Sequence, residues 1–355
     1  MNFHGGDIYS CTGQVLDFSS NINPLGVPAS FRRALIERIE DFTCYPDIKY
    51  RALRGVLAEY LDFDAPEMII PGNGAVEIIF KAIMALDISV MINLSPTFSE
   101  YARAARQKGV EVININAYDA GFSFLDFDLI LEAVRPKSLV VLCNPNNPTG
   151  TFVEKDQVFD LARELGKKES YLFIDEAFIE FTDDYPGNSM VQELIHFPNV
   201  LVIRAATKFF GMPGIRLGFG VTKNQELIKG ILDRLEPWNV NAAAVIAGCT
   251  VYRDEEYIKA SRRWVKEERD FFFQRLKEIE GLTVYPSRAN FHLVKTNVNL
   301  DAWTLKEILL KEGVLIRTPD GFEHLTLYHF RLAVKDRASN EVALSALREV
   351  LDYYG

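Results

Sequence analysis

From residue 49 to 222 the apolar positions keep changing period. RALRGVLAEYL (51–61) and AVEIIFKAIMAL (75–86) space them three and four apart, as one buried face of a helix requires. SVMINL (89–94) then reads as a short β-rich run. FSEYARAARQKG (98–109) returns to helical spacing, and VEVININ (110–116) predicts another strand. Helical spacing in LDFDLILEAV (125–134) precedes the apolar run SLVVLC (138–143). The helix predicted for EKDQVFDLARELGKK (154–168) leads into YLFIDEAF (171–178), and NVLVIRAATK (199–208) follows. Strands alternating with helices call for an α/β fold, with a mainly parallel central sheet and helices on both faces.

After EPWNV (236–240) the pattern changes. A charged helical stretch over 253–279 precedes strand candidates LTVYPS, NFHLVKT, VLIRTP and HFRLAV, with helices expected near 301–312 and 337–352. This predicts a large domain over 46–236 and a smaller α+β domain made of 237–355 with the N-terminal arm, 1–45.

In parallel sheets, ligands gather beyond the carboxyl ends of the strands. SLVVLC runs into NPNNPTG (144–150), YLFI into Asp175, and NVLVIRAA into Thr207 and Lys208. Three successive strands thus carry Asn147, Asp175 and Lys208 to one sheet edge. Upstream, PGNGAVEIIF sets Gly74, Ala75 and Val76 at a helix start, where backbone N–H groups attract a phosphate. Glu77 replaces the third glycine of a dinucleotide fingerprint, and no G-K-[ST] follows as in a P-loop. The set outlines a site for a phosphorylated aldehyde cofactor. A lysine amine condenses with the aldehyde, and a carboxylate keeps a pyridine nitrogen protonated. Asn147 would then donate to the ring's phenolic oxygen, Thr207 and Arg216 would bind its phosphate, and Phe98 would stack on its face. A rival reading pairs Asp175 with Arg216 as one buried ion pair.

Composition narrows the partners. A net charge of −10 opposes general affinity for nucleic acid or an anionic membrane. The four cysteines are widely spaced, which argues for a reducing compartment and against a metal knot. MNFHGGDIYS lacks the basic and apolar parts of a signal peptide, so a cytoplasmic protein is expected.

NPNNPTG, DEAF and TKFFGMPGIRLGFG (207–220) closely resemble fold type I pyridoxal-phosphate enzymes of the aspartate aminotransferase superfamily. Over nearly its full length the chain resembles the branch holding the histidinol-phosphate aminotransferases and threonine-phosphate decarboxylases. The resemblance implies pyridoxal 5'-phosphate, Lys208 and Asp175 as catalytic residues, and a homodimer with shared active sites. It also implies that Tyr45, in CYPDIKYRALRGVLAEYL, reaches the neighbour's cofactor phosphate; a half-buried ring before Pro46 is the plainer reading.

HGGDIY (4–9) with LDFSSNINPLGVPASFRRAL (16–35) resembles the decarboxylases, as do Phe178, EPWNVNAAAVIAG and LTVYPSRANF. That likeness implies decarboxylation of L-threonine O-3-phosphate to aminopropanol phosphate, for the cobalamin nucleotide loop. The alternative is transamination of histidinol phosphate or a related amino acid. His4, Gly5, Asn21 and Asn147 would line the substrate pocket, while Arg317 and Arg331 would bind anionic groups. Two arginines near strand ends suit a small phosphorylated amino acid bearing both carboxylate and phosphate. TPDGFEHLTLYHF (318–330), between them, departs from the decarboxylase pattern.

Overall fold

The computed structural model describes residues 4–11 and 13–354. An N-terminal strand, β1 (Leu16–Asp17), leaves the arm. The large sheet comprises β2 (Ile69–Asn73), β3 (Val90–Leu94), β4 (Glu111–Ile115), β5 (Ser138–Cys143), β6 (Tyr171–Asp175), β7 (Val200–Ala205) and β8 (Leu217–Val221). Their order is β2-β8-β7-β6-β5-β3-β4; β8 runs antiparallel to both neighbours and every other pairing is parallel. The smaller sheet is antiparallel, with β9 (Leu282–Val284), β10 (Phe291–Thr296) and β12 (His329–Ala333) in the order β12-β10-β9. Strand β1 pairs in parallel with β11 (Val314–Leu315), which ties the arm to this smaller part.

The apolar runs are nearly continuous because both faces of the large sheet are covered. Val140, Leu142, Leu172, Ile174, Val200 and Val202 enter one buried cluster. Their alternates Leu139, Val141, Phe173, Leu201 and Ile203 enter the other, with the helices Ala75–Ala85, Glu100–Lys108 and Gln225–Leu232. The helices expected over 253–279, 301–312 and 337–352 form as Glu255–Lys277, Ala302–Lys311 and Arg337–Tyr354.

Three strands lie outside the sequence expectation: β1 in the arm, and β2 and β8 in the large sheet. Strands β2 and β8 carry IIPGN and LGFGV, whose glycines and proline read as turns. Close approach explains those glycines. A Cβ on Gly218 would lie 2.2 Å from the Ala75 backbone nitrogen, and one on Gly220 would lie 2.8 Å from Ile78 Cγ2. Bare backbone in β8 lets the helix Ala75–Ala85 settle on the sheet with its N-terminus at the strand ends. Among the described residues no helix is long and apolar enough to cross a membrane.

Candidate active site

Strand β7 ends at Ala205 and turns at once into the short helix Ala206–Phe209, whose small residues Ala206 and Thr207 are buried. This turn points Lys208 into a cavity of about 390 Å³, where Asp175, Asn147 and Thr207 also face. The three strand ends therefore converge as the spacing predicts. Burial, then the nearby Arg331 and Arg216 cations, pushes the Lys208 amine down to about 8.

Asp175 ends β6 and is 5% exposed. Burial raises its carboxyl, while hydrogen bonds and the Lys208 charge oppose that rise. The Ala177 N–H donates to Oδ1 at 3.0 Å and the Tyr101 hydroxyl donates to Oδ2 at 2.5 Å. No ion pair joins Asp175 to Arg216 among the described residues, so the rival reading of that pair fails. Arg216 has φ +55 and donates to the Pro213 carbonyl at 3.3 Å, which turns its guanidinium toward the cavity.

The buried guanidinium is elsewhere. Arg204, fully buried, bridges Glu176 at 3.1 Å and Glu180 at 2.6 Å beneath the site. Their opposing charges raise its guanidinium further, against burial.

The helix that opens at Ala75 has no side-chain cap. Ala75 and Val76 line the cavity at this helix start, where first-turn N–H groups lack intrahelical partners. Gly74 stands behind them with φ +81, and a Cβ there would lie 2.4 Å from Arg216 Nη2. It shapes the cradle without lining the cavity. Phe98 does line it, with its ring 5.5 Å from that of Tyr101 in an edge-on arrangement.

The other end of the cavity is built by the arm and the smaller sheet. Arg317 and Arg331 bond each other's backbones across an isolated antiparallel bridge and both face the cavity. Arg331 Nη1 donates to Asn147 Oδ1, and Nη2 donates to the Ser19 carbonyl at 2.7 Å. Arg317 Nη2 donates to the Asp320 carbonyl at 2.5 Å. Burial, with Arg317 next, brings Arg331 down to about 9; burial brings Arg317 to about 10. Both stay cationic at neutral pH. Asn21 lines the same wall, and its buried Oδ1 has no hydrogen-bond partner among the described residues. Gly5 packs so tightly that a Cβ would lie 2.2 Å from the Ser19 carbonyl oxygen.

His4 closes the rim, with Nε2 3.2 Å from Glu100 Oε1 and its ring 5.8 Å from Phe98. Tyr45, like Gly74, does not line the cavity. It is 78% exposed and stacks on Trp238 at 4.4 Å, outside the cavity of its own chain, which excludes the half-buried reading.

Sequence reasoning did not single out Glu100, Tyr101, Cys143 or Ser19, which also line the cavity or bond its residues. Glu100 and Tyr101 sit in an amphipathic helix, where they read as a surface charge and a core aromatic. Asp175 pairs in register with Cys143 on the neighbouring strand, a contact no linear motif announces.

A family model described as aminotransferase class I and II matches residues 13–347. The threonine-phosphate decarboxylase of Salmonella typhimurium is 36% identical over 358 residues, covering 98% of this chain and 96% of its own. Histidinol-phosphate aminotransferase 2 of Archaeoglobus fulgidus is 32% identical, covering 95% of this chain and 93% of its own. The solved structure of the histidinol-phosphate aminotransferase from Clostridium acetobutylicum superposes with a TM-score of 0.90 at 36% identity, covering 96% of this chain and 100% of its own.

Proposed function

The chain belongs to the class I and II aminotransferase family, and from that premise we propose that it decarboxylates L-threonine O-3-phosphate to aminopropanol phosphate with pyridoxal 5'-phosphate as cofactor. The observation that carries this reading is the buried pair Arg317 and Arg331, facing the same cavity as Lys208 and Asp175. Two guanidinium groups facing one cavity suit a substrate that brings both a carboxylate and a phosphate.

The residues fit the cofactor on their donor chemistry. The uncapped N–H groups of Ala75 and Val76, with Thr207 and Arg216, form a phosphate cradle that only Gly74 leaves open. When bound, the cofactor supplies an aldehyde for condensation and a cationic ring that draws electrons from the substrate's α-carbon.

Asp175 would keep the ring nitrogen protonated, and Phe98 would help hold the ring. Asn147, whose Oδ1 accepts from Arg331, would offer its amide N–H groups to the ring oxygen. With its amine pushed down to about 8, roughly one Lys208 in eleven is neutral at pH 7, so it would serve as nucleophile and then return a proton to the α-carbon. Arg317 and Arg331 orient the substrate, with Asn21, His4 and Gly5 closing the pocket over it. By fixing which bond of the α-carbon is presented for cleavage, these side chains would choose between loss of carbon dioxide and loss of a proton.

Transamination of histidinol phosphate is the second reading, favoured by the 0.90 TM-score to a structure named for that activity. A paired assay separates the two: carbon dioxide released from threonine phosphate, beside glutamate formed from histidinol phosphate and 2-oxoglutarate. Carbon dioxide without glutamate is expected; glutamate alone refutes the decarboxylase. Lys208→Ala should hold cofactor without its visible covalent band and lose turnover.

The reading includes a cytoplasmic homodimer. Ile36 at 74% exposed, Ile39, Phe42, Tyr45 at 78% and Ile48 offer an apolar face for a second copy, which would carry Tyr45 toward the neighbour's phosphate cradle. Light scattering should give twice the chain mass, and Tyr45→Phe should weaken cofactor binding. A monomer with full activity refutes the shared site.

A further inference from the structure

We propose that Tyr101 is a positioning residue that holds the Asp175 carboxylate anionic and correctly turned toward the cofactor's ring nitrogen, an inference that rests on the pyridoxal-phosphate reading above. Tyr101 is fully buried in the helix Glu100–Lys108, on the face packed against the large sheet. Its hydroxyl donates to Asp175 Oδ2 at 2.5 Å while the Ala177 N–H anchors Oδ1 at 3.0 Å. Each carboxylate oxygen therefore has one fixed donor and a remaining acceptor position, and the plane of the group is set before any ligand arrives.

The register explains how the hydroxyl reaches its target. Cys143 and Asp175 are partners on β5 and β6, and both project to the face that Tyr101 covers. Cys143 does not compete as the donor, because its thiol donates to the Pro145 carbonyl at 3.3 Å. The titratable groups around Asp175 are then Tyr101 and Cys143 from beneath and Lys208 across the cavity. Burial of Asp175 favours a neutral carboxylic acid, which could not keep a ring nitrogen charged. The tyrosine donation opposes that tendency without adding a charge. It also sits on the helix that starts two residues after Phe98, so one element sets both the ring-face packing and the carboxylate.

The test uses the holoenzyme loaded with cofactor carrying nitrogen-15 in its ring, whose chemical shift reports protonation directly by NMR. Removing a donor that favours the anionic carboxylate makes Asp175 the better base, so the proton shared with the ring nitrogen should move toward Asp175 and the nitrogen-15 titration should start nearer its unprotonated value. Tyr101→Phe is expected to show that shift and an approximately tenfold weaker cofactor affinity. Because Tyr101→Phe could perturb packing, a second variant carries 3-fluorotyrosine at position 101. Its more acidic hydroxyl should donate more strongly and move the transition the other way. An unchanged ring-nitrogen transition in both variants overturns the proposal. Failure of the unaltered protein to bind the labelled cofactor would instead refute the pyridoxal-phosphate reading, so the two failures are distinct.

Discussion

The depressed Lys208 amine gives the sharpest quantitative test of the site. Burial and the Arg331 and Arg216 cations bring it from 10.5 to about 8, a gap of about 2.5 units. At pH 8 about half of the Lys208 amines are then neutral, against about one in three hundred for an ordinary lysine. That is roughly a 150-fold gain in nucleophilic amine, and it exists only while the cavity is intact. The assay is competitive acetylation of the cofactor-free protein with trace acetic anhydride across pH 6–11, read by mass spectrometry against free lysine in the same sample. Lys208 reactivity should level off above about pH 9. Arg331→Met removes a neighbouring cation and should raise the midpoint; Asp175→Asn removes an anion and should lower it, and each shift follows from the sign of the charge lost. Reactivity that climbs through pH 10, with no response to either substitution, would refute the claim that these groups share one low-dielectric cavity.

Three further outcomes follow from the packing. Gly218→Ala puts a Cβ 2.2 Å from the Ala75 backbone nitrogen, so overpacking should cost about 1–3 kcal/mol in urea unfolding and loosen the phosphate cradle as well. Arg204→Leu leaves Glu176 and Glu180 buried without their cation and should cost about 3–5 kcal/mol, whereas changing an exposed ion pair such as Lys259–Glu255 should cost under about 1 kcal/mol. His292 is 1% exposed, and burial lowers its ring from 6.5 to about 4. Between those values the unfolded chain binds a proton that the folded chain does not. Stability should therefore fall by about 3 kcal/mol as pH drops from 6.5 to 4, and His292→Gln should flatten that slope in denaturant midpoints.

What the chain determines locally is extensive. The strand-to-loop transitions at Asn147, Asp175 and Lys208 were legible because β-rich runs end abruptly in chemistry-bearing residues, and sheet topology sends such ends to one edge. The helix start at Gly74–Val76 was legible too, because a glycine-rich turn precedes a helical period there. Strands β2 and β8 were not legible, since the glycines that admit the helix Ala75–Ala85 look like turn residues until that helix is in place. Tertiary packing alone decided that Arg204, not Arg216, is the buried ionic partner, because an arginine's neighbours depend on which strands adjoin and not on its spacing. It also decided that Tyr101 meets Asp175 across 74 residues of sequence. Periodicity assigns a side chain to a face; only the packed sheet and helix assign it a partner, because hydrogen bonds act over about 3 Å and sequence separation carries no such distance.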